Sequence, residues 1–269
     1  MGKLKPNQII LDGNLITELP ILFQGELIRA NREGRKTQTR RCTRELNRIP
    51  TTAKLYGIGE LYEDKSDYGA GFILDKHDSF IIKKSPYGKP GDLLWVRETW
   101  RKVEQTISIP TPSNSLDHPL TGSYIDYKAN WSKGITSHPK NKGVWKPSIH
   151  MLKTASRIWL MVEEIGVERV HDISKEDAIA EGVRYIQSEN IFNKGYFNYL
   201  RQDLDEPNFN SPISSFNSLW VLINGEASFE ANPWVWVVKY RVISKNGRPN
   251  NETILKNHLE ITRKEAANV

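Results

Sequence analysis

Apolar residues along the chain occur mostly in short runs, continuous or alternating with polar residues, which is typical of strands. We predict strands at 71–74, 79–84, 93–100, 123–129, 156–170 and 234–243. The first two runs are separated by a turn and predict a hairpin. In the last run, alternate residues from Trp234 to Val242 share one face, and the tryptophans are expected in the core. Gly166 interrupts the longest run and predicts a β-bulge there.

Three segments have helical spacing instead. The first lies within PILFQGELIRANREG and ends at Gly34, which suits the left-handed conformation that stops a helix. The second begins after Ser174, whose hydroxyl is placed to cap the first turn, with Asp177 three residues later as in a capping box. It ends at Gly182. The third is predicted around 212–224, where apolar residues recur at helical spacing.

Strands broken by short helices, without a regular alternation of the two, predict an α+β fold. We expect a small, mostly antiparallel β-barrel flanked by short helices. Long loops are predicted as insertions at 43–70, 104–122, 132–148 and 184–212. The domain is placed at 20–244, after a peripheral segment at 1–19 and before a polar, flexible or loosely helical tail at 245–269.

Composition narrows the class of protein. The 269 residues carry a formal charge of +6, which favours either a polyanionic partner or plain solubility. One cysteine and scattered histidines leave no expected disulfide, metal site or cofactor. No apolar run approaches the roughly 20 residues of a membrane span, so we expect a cytoplasmic protein with no membrane partner.

The most distinctive stretch is GRKTQTRR, from Gly34 to Arg41, in which four of eight residues are cationic. Such a stretch is a solvated edge, a phosphate-binding surface or part of an active site. Its two arginines at the end, Arg40 and Arg41, are either phosphate contacts or members of ion pairs. Arg35 is a further candidate for contacting a ligand.

Four pieces occur in one order: GRKTQTRR, KPGDLLWVRETW, the strand followed by DISKEDAIAEGV, and NPWVWVVKYRVI. Together they resemble the ASCH-domain proteins, a PUA-like β-barrel family, in the long version carried by bacteriophages and prophages. The resemblance spans about residues 20–243. It implies a pseudo-barrel with a cleft beside the first helix, a link to RNA or modified nucleosides, and a bacterial host cell.

Some bacterial ASCH proteins are amidohydrolases that remove the acetyl group from N4-acetylcytidine. Their motif resembles GRKTxT, followed by a glutamate in a later helix, and the matching positions here are Lys36, Thr39 and Glu181. The resemblance implies that Thr39 is the nucleophile, that Lys36 activates this nucleophile and that Glu181 transfers protons. The chemistry is coherent, because burial and the neighbouring arginines would lower the pKa of Lys36.

Geometry adds one requirement. In a regular strand Lys36 and Thr39 would point to opposite faces, because side chains alternate. We therefore predict that the chain turns or is irregular just after Gly34.

The strand containing Arg97 and Glu98 places one of these adjacent charged residues inward, where it needs a partner or a ligand. Trp145 and Lys146 are predicted to form one wall of the cleft, with His150 as a minor candidate nearby. The candidate ligand-binding residues here are Arg97, Glu98, Trp145 and Lys146.

Two kinds of function remain open at this point. The first is a metal-independent amidohydrolase acting on an N4-acylated cytidine or a related nucleoside. The second is a PUA-like module that binds RNA or DNA without turnover, with metal-independent RNA cleavage as a variant.

Overall fold

The computed structural model describes residues 4–50, 52–61, 67–74, 79–108, 119–131, 143–187, 194–201 and 207–267. The helices are α1 (Gly25–Glu33), α2 (Lys175–Ala180), α3 (Pro212–Asn224), α4 (Glu226–Glu230) and α5 (Asn251–Ala267). The strands are β1 (Gln8–Leu11), β2 (Asn14–Leu22), β3 (Gln38–Arg41), β4 (Lys54–Glu60), β5 (Tyr68–Leu74), β6 (Ser79–Lys84), β7 (Leu93–Arg97), β8 (Trp100–Ser108), β9 (Pro119–Tyr127), β10 (Trp159–Arg169), β11 (Tyr185–Ile186), β12 (Gly195–Phe197), β13 (Pro207–Phe209) and β14 (Trp234–Ser244). Short 3-10 helices lie at Leu46–Arg48, Lys128–Asn130, Ser148–His150, Lys153–Ala155 and Val170–Asp172.

A six-stranded sheet in the order β1-β2-β7-β10-β14-β3 forms the centre of the protein. Its neighbours pair antiparallel except β2 and β7, which run parallel. Smaller sheets are β4-β5-β6, β11-β12-β13 and β8-β9. This arrangement confirms the α+β class and the mostly antiparallel pairing. Across the described ranges the sheets are open, and none closes into the expected barrel.

Strand β14 lies inside the central sheet, between β10 and β3, which explains its nearly continuous apolar sequence. Trp234, Trp236 and Tyr240 on this strand are all buried, as predicted for the core. Trp234 packs edge-on against Phe72 of β5 at 5.4 Å between ring centres. The central sheet and the β4-β5-β6 sheet therefore share one hydrophobic core.

The bulge predicted at Gly166 is wrong. Gly166 pairs in regular register with Val237, and the irregularities between β10 and β14 lie at Trp159/Leu160 and Val162/Glu164. A Cβ atom at position 166 would lie 3.5 Å from the Val237 Cβ, an ordinary contact. The register therefore does not require glycine there.

The loop predicted at 43–70 is also wrong, because β4 and the start of β5 fall within it. The glycines Gly57 and Gly59 weakened the strand signal of β4, whose pairing partner β5 supplies the apolar residues. The predicted hairpin is confirmed as the antiparallel pair β5 and β6. Strands β8 and β9 likewise extend into the loop predicted at 104–122, whose residues 109–118 lie outside the described residues.

Residues 245–269, predicted as a polar, flexible or loosely helical tail, contain a regular helix that packs on the central sheet. Helix α5 places Ile254, His258 and Ile261 on one face at helical spacing, and all three are buried. The two isoleucines pack in a second core with residues of β2, β7 and β10, among them Trp159. His258 Nδ1 lies 3.0 Å from the Gly91 carbonyl oxygen, which fixes the helix to the turn before β7.

The segment predicted as peripheral at 1–19 also contributes to this second core. Strand β2 begins at Asn14 and continues past residue 20 as the parallel partner of β7. Its residue Ile16 is fully buried against the same cluster that receives α5.

Docking of α5 makes a stability prediction. Ile254→Ala should lower the free energy of unfolding by about 2–4 kcal/mol, because it empties a fully buried position. The matched control is Lys256→Ala in the same helix, at an exposed position, which should stay within about 0.5 kcal/mol of wild type. Urea unfolding followed by circular dichroism measures both. An Ile254→Ala variant as stable as the control would show that α5 does not pack on the sheet.

Candidate functional site: a buried lysine–glutamate pair

The chain leaves α1 by a sharp reversal. Gly34 adopts φ 80°, and its N–H donates to the Asn31 carbonyl to close the helix. Strand β3 begins only at Gln38, and the residues between them are held by backbone bonds from Thr37 N–H to the Ala180 carbonyl (2.9 Å) and from Tyr240 N–H to the Thr37 carbonyl (2.8 Å). The predicted irregularity after Gly34 is confirmed. It delivers the next side chains to the C-terminal end of α2.

Lys36 meets Glu181 there. The Lys36 Nζ donates to the Glu181 Oε2 at 2.7 Å and to the Glu181 carbonyl oxygen at 2.8 Å. The two side chains are 0% and 5% exposed. Gly182, at φ 84°, follows the glutamate, and a Cβ there would lie 2.8 Å from the Lys36 Cβ. Glycine is therefore required for the lysine to approach this closely.

Arg40 completes an internal network. Its guanidinium donates to Glu168 at 2.6 Å, to Asp177 at 2.9 Å and to Glu181 at 3.3 Å. With its side chain 0% exposed, Arg40 is a member of ion pairs and not a phosphate contact. Because Glu181 caps the C-terminal end of α2, where a carboxylate opposes the helix dipole, the two cations offset an unfavourable position.

Burial lowers the pKa of Lys36 to about 8 from 10.5. The charges of Arg41 and Arg40 act in the same direction, whereas Glu181 opposes the shift by its charge and its hydrogen bond. The outcome is a lysine that exchanges its proton much nearer to neutral pH than an exposed lysine does.

Phe23 and Arg41 lie beside this pair. The Lys36 Nζ lies 5.5 Å from the centre of the Phe23 ring, and the Arg41 guanidinium lies 4.8 Å from the same ring. Arg41 also donates to the Leu22 carbonyl. Arg41 is therefore placed by a neutral carbonyl oxygen and an aromatic ring, and it lies beside the buried pair.

Thr39 is placed differently. It pairs with Val238 in β3, on the face opposite to Gln38 and Arg40, and it is buried. Among the hydrogen bonds of the described residues, none joins its hydroxyl to Lys36 or Glu181. Of the three residues that the motif suggested, Lys36 and Glu181 are thus hydrogen-bonded to each other, and Thr39 is not part of that hydrogen-bonded pair.

Arg35 lies at the edge of the network. It donates to the Gly182 carbonyl at 2.8 Å and to Glu33 at 2.7 Å, and its side chain is 33% exposed. It also lines a cavity of about 970 Å³ beside α1. Lys36, Thr39 and Glu181 do not line this cavity.

Arg97 and Glu98 have protein partners of their own. Glu98 is 2% exposed and receives two hydrogen bonds from Arg157, each of 2.8 Å. Burial raises the pKa of this carboxyl, and Arg157 opposes the rise. Arg97 donates to the Ser148 carbonyl at 3.0 Å. Glu98 thus forms an internal ion pair with Arg157. This is the partner that a charged residue facing inward from the strand was expected to need.

Trp145 and Lys146 belong to another cluster. The Arg101 guanidinium lies against two rings, 4.3 Å from the centre of Trp145 and 5.1 Å from that of Trp131. Lys146 pairs with Trp100 through two backbone hydrogen bonds. Neither residue contacts Lys36 or Glu181 within the described part of the chain, and the minor candidate His150 is exposed.

Sequence reasoning missed Arg101 and Trp131. Arg101 lies within β8 and Trp131 follows β9. No rule of sequence spacing relates residues of two such segments. The many tryptophans between residues 95 and 145 were the feature of the sequence that could have pointed to this cluster.

Two further observations concern cofactors and membranes. Among the described residues, no group of three or more His, Cys, Asp or Glu side chains is placed to hold a metal ion. No helix in the described ranges is both long and apolar enough to span a bilayer.

The pKa of Lys36 predicts a pH dependence of stability. Between about pH 8 and pH 10.5 the unfolded chain binds a proton at Lys36 that the folded chain has released, so the free energy of unfolding rises with pH. Relative to Lys36→Met, the wild type should gain up to about 3 kcal/mol across this window. Urea unfolding of both proteins at several pH values measures the difference. A difference that stays constant would show that folded Lys36 keeps its proton throughout.

Comparison with known proteins identified no similar protein. No protein-family model matches the chain. Neither the curated proteins nor the solved structures contain a match.

Proposed function

We propose that this chain is a PUA-like protein of the ASCH type that hydrolyses an acyl amide on a modified nucleoside of the N4-acetylcytidine kind. The observation that carries the proposal is the 2.7 Å contact between the Lys36 Nζ and the Glu181 carboxylate in a buried site. A lysine with a pKa of about 8 beside a carboxylate is a group suited to proton transfer near neutral pH.

The placement of the four motifs supports the family assignment. GRKTQTRR leads into β3, LLWVR forms β7, and VWVVKYRVI falls in β14, all of them in the central sheet. DISKEDAIAEGV forms α2, whose end meets the first motif through Lys36 and Glu181. The first and third motifs, far apart in sequence, thus meet at the Lys36–Glu181 pair.

Water is the nucleophile in the proposed hydrolysis. Water attacks the acyl carbonyl carbon and gives a proton to the Glu181 carboxylate. The C–N bond then breaks, and the leaving exocyclic amine takes a proton from the Lys36 ammonium. Proton return from Glu181 to Lys36 across their hydrogen bond restores the starting state, with a carboxylic acid and the free nucleoside as products.

Thr39 has no nucleophilic role in this scheme. Its hydroxyl has no hydrogen bond to Lys36 or Glu181 in the described residues, and a threonine hydroxyl without an adjacent base is a weak nucleophile. Catalysis also requires the site to open, because the lysine side chain is 0% exposed.

A second candidate is binding without turnover. The observation that favours it is the closure of the pair, in which Lys36, Glu181 and Arg40 satisfy one another. Arg35 of GRKTQTRR lines the cavity beside α1, so a binding module would use that cavity in place of a basic surface strip.

The direct test is release of cytidine from N4-acetylcytidine, followed by chromatography. Wild type should turn over, and Lys36→Met and Glu181→Gln should each lose at least about 100-fold in kcat/KM because one proton donor or acceptor is gone. Lys239→Met is the matched control, since it removes a lysine from an exposed ion pair with Glu164. No turnover by wild type at high enzyme concentration would reject hydrolysis of this substrate.

A separate variant assigns the nucleophile. Thr39→Val should keep kcat/KM within about tenfold of wild type, because water is the attacking group and the change preserves shape. The same chromatographic assay measures it, with circular dichroism to confirm folding. Loss of activity as large as that of Lys36→Met would instead make the threonine hydroxyl the nucleophile.

A further inference from the structure

Strand β6 is the outer strand of the β4-β5-β6 sheet. It pairs with β5 from Ser79 to Lys84 without a break in register. Within the described ranges, no strand pairs with its other side. None of its six residues is buried. Strand β6 therefore presents unpaired backbone groups along one side, as an outer strand does.

The ladder with β5 determines which backbone groups these are. In an antiparallel pair, opposite residues alternate between those that exchange hydrogen bonds and those that do not. The Ser85 N–H donates to the carbonyl of Tyr68, opposite it, at 2.7 Å. Counting back from this pair, Lys84, Ile82 and Phe80 occupy positions that are not hydrogen-bonded to β5. Their N–H and C=O groups therefore point to the open side, and we call these three residues the β6 edge.

The side chains of the β6 edge add an exposed apolar surface. Phe80 and Ile82 are 51% and 46% exposed, whereas Ile81 between them packs on the main core. Tyr56 of β4 is 72% exposed and lies edge-on to the Phe80 ring at 5.4 Å. Contiguous exposed apolar side chains of this kind mark interaction surfaces.

The charges near this edge leave its centre open. Outer strands are commonly protected from pairing by a charged residue or a proline within the strand, or by a bulge. In β6 both charges, Lys83 and Lys84, stand at one end, and the register with β5 is regular throughout. The Lys84 ammonium is also paired with Asp67. The apolar centre of the strand can therefore accept another strand.

A second copy of β6 is complementary to the first. If the two run antiparallel with Ile82 opposite itself, Phe80 of each copy lies opposite Lys84 of the other. In this register the three residues of the edge all find partners within β6, and about six backbone hydrogen bonds form. Lys83 then faces Ile81, so no lysine lies opposite a lysine. Both the backbone groups and the charges are thus satisfied by the same strand.

We propose that the β6 edge is a dimerisation surface, at which two copies of this chain associate about a two-fold axis through Ile82. Their β4-β5-β6 sheets join into one continuous sheet. Such an interface is closed, because the same surface is used by both copies. The dimer is independent of hydrolysis, since Lys36 and Glu181 lie in other elements of the fold.

Sedimentation equilibrium of the full chain tests the association. Wild type should interconvert between one and two chains with a Kd of about 1–100 μM, as expected for a small interface. Ile82→Lys should raise the Kd at least about tenfold, because two like charges then face each other at the axis. The matched control is Ile10→Lys, a 53% exposed apolar position on β1, the outer strand of the central sheet. This control should associate as wild type does.

A mixing experiment tests the register. Ile82→Glu should also be monomeric alone, because it places two carboxylates at the axis. An equimolar mixture of Ile82→Glu and Ile82→Lys should recover a Kd within about tenfold of wild type, since opposite charges then face each other. Recovery requires that position 82 of one copy meets position 82 of the other. Circular dichroism confirms that each variant is folded.

Hydrogen exchange of wild type gives a check that needs no variant. Exchange of the amides in residues 79–84 should slow as the protein concentration rises through the Kd, because the dimer protects them.

Four results would overturn the proposal. These are a single-chain mass of wild type up to about 0.5 mM, association of Ile82→Lys equal to wild type, a mixture that stays monomeric, and exchange in 79–84 that does not depend on concentration. Species that grow beyond two chains would contradict the closed two-fold arrangement.

Discussion

The burial of two cations against one carboxylate is the constraint on which the site depends. Lys36 and Arg40 both reach Glu181, and the three side chains are almost fully shielded from water. Removing such charges from water is expensive unless each is paired and hydrogen-bonded. Glu168 and Asp177 supply the remaining partners of Arg40, so β3, β10 and α2 must come together for the network to be satisfied.

This constraint explains local features that would otherwise look accidental. Gly34 and Gly182 both have positive φ, and they stand at the two places where the chain turns toward the pair. Glu181 tolerates an unfavourable helix end because cations face it. The same network fits two functions: a proton-transfer site that opens to admit a substrate, or an internal ion-pair network that only holds β3, β10 and α2 together. Whether a substrate can reach Lys36 in solution distinguishes the two.

Sequence was informative where local rules decide the structure. The Ser174 cap, the helix at 212–224 and the apolar face of β14 each depend on residues close together in the chain. The close approach of Lys36 and Glu181 could be predicted only from a motif resemblance, because the two residues are 145 positions apart. The turn before β3 followed from side-chain alternation together with the same resemblance, which required Lys36 and Thr39 to face one site.

The failures share a physical cause, which is that tertiary partners were invisible. Glu98 finds Arg157 across 59 positions, and Arg101 finds Asp126 across 25. Strand β4 depends on β5 for its pairing, and the polar sequence of α5 conceals three residues that pack on the sheet. Polar composition alone therefore does not predict that a segment is loose.

The position of α5 also has a consequence for the order of folding. The second core holds Ile16 from an early strand, Leu93 and Trp159 from the middle of the chain, and Ile254 and Ile261 from its last described helix. During synthesis from the N-terminus, Trp159 leaves the ribosome long before the helix that covers it. Until α5 has been synthesised, that face of the sheet lacks the two isoleucines that complete its core, so the N-terminal and middle strands cannot finish packing before the last described helix is made.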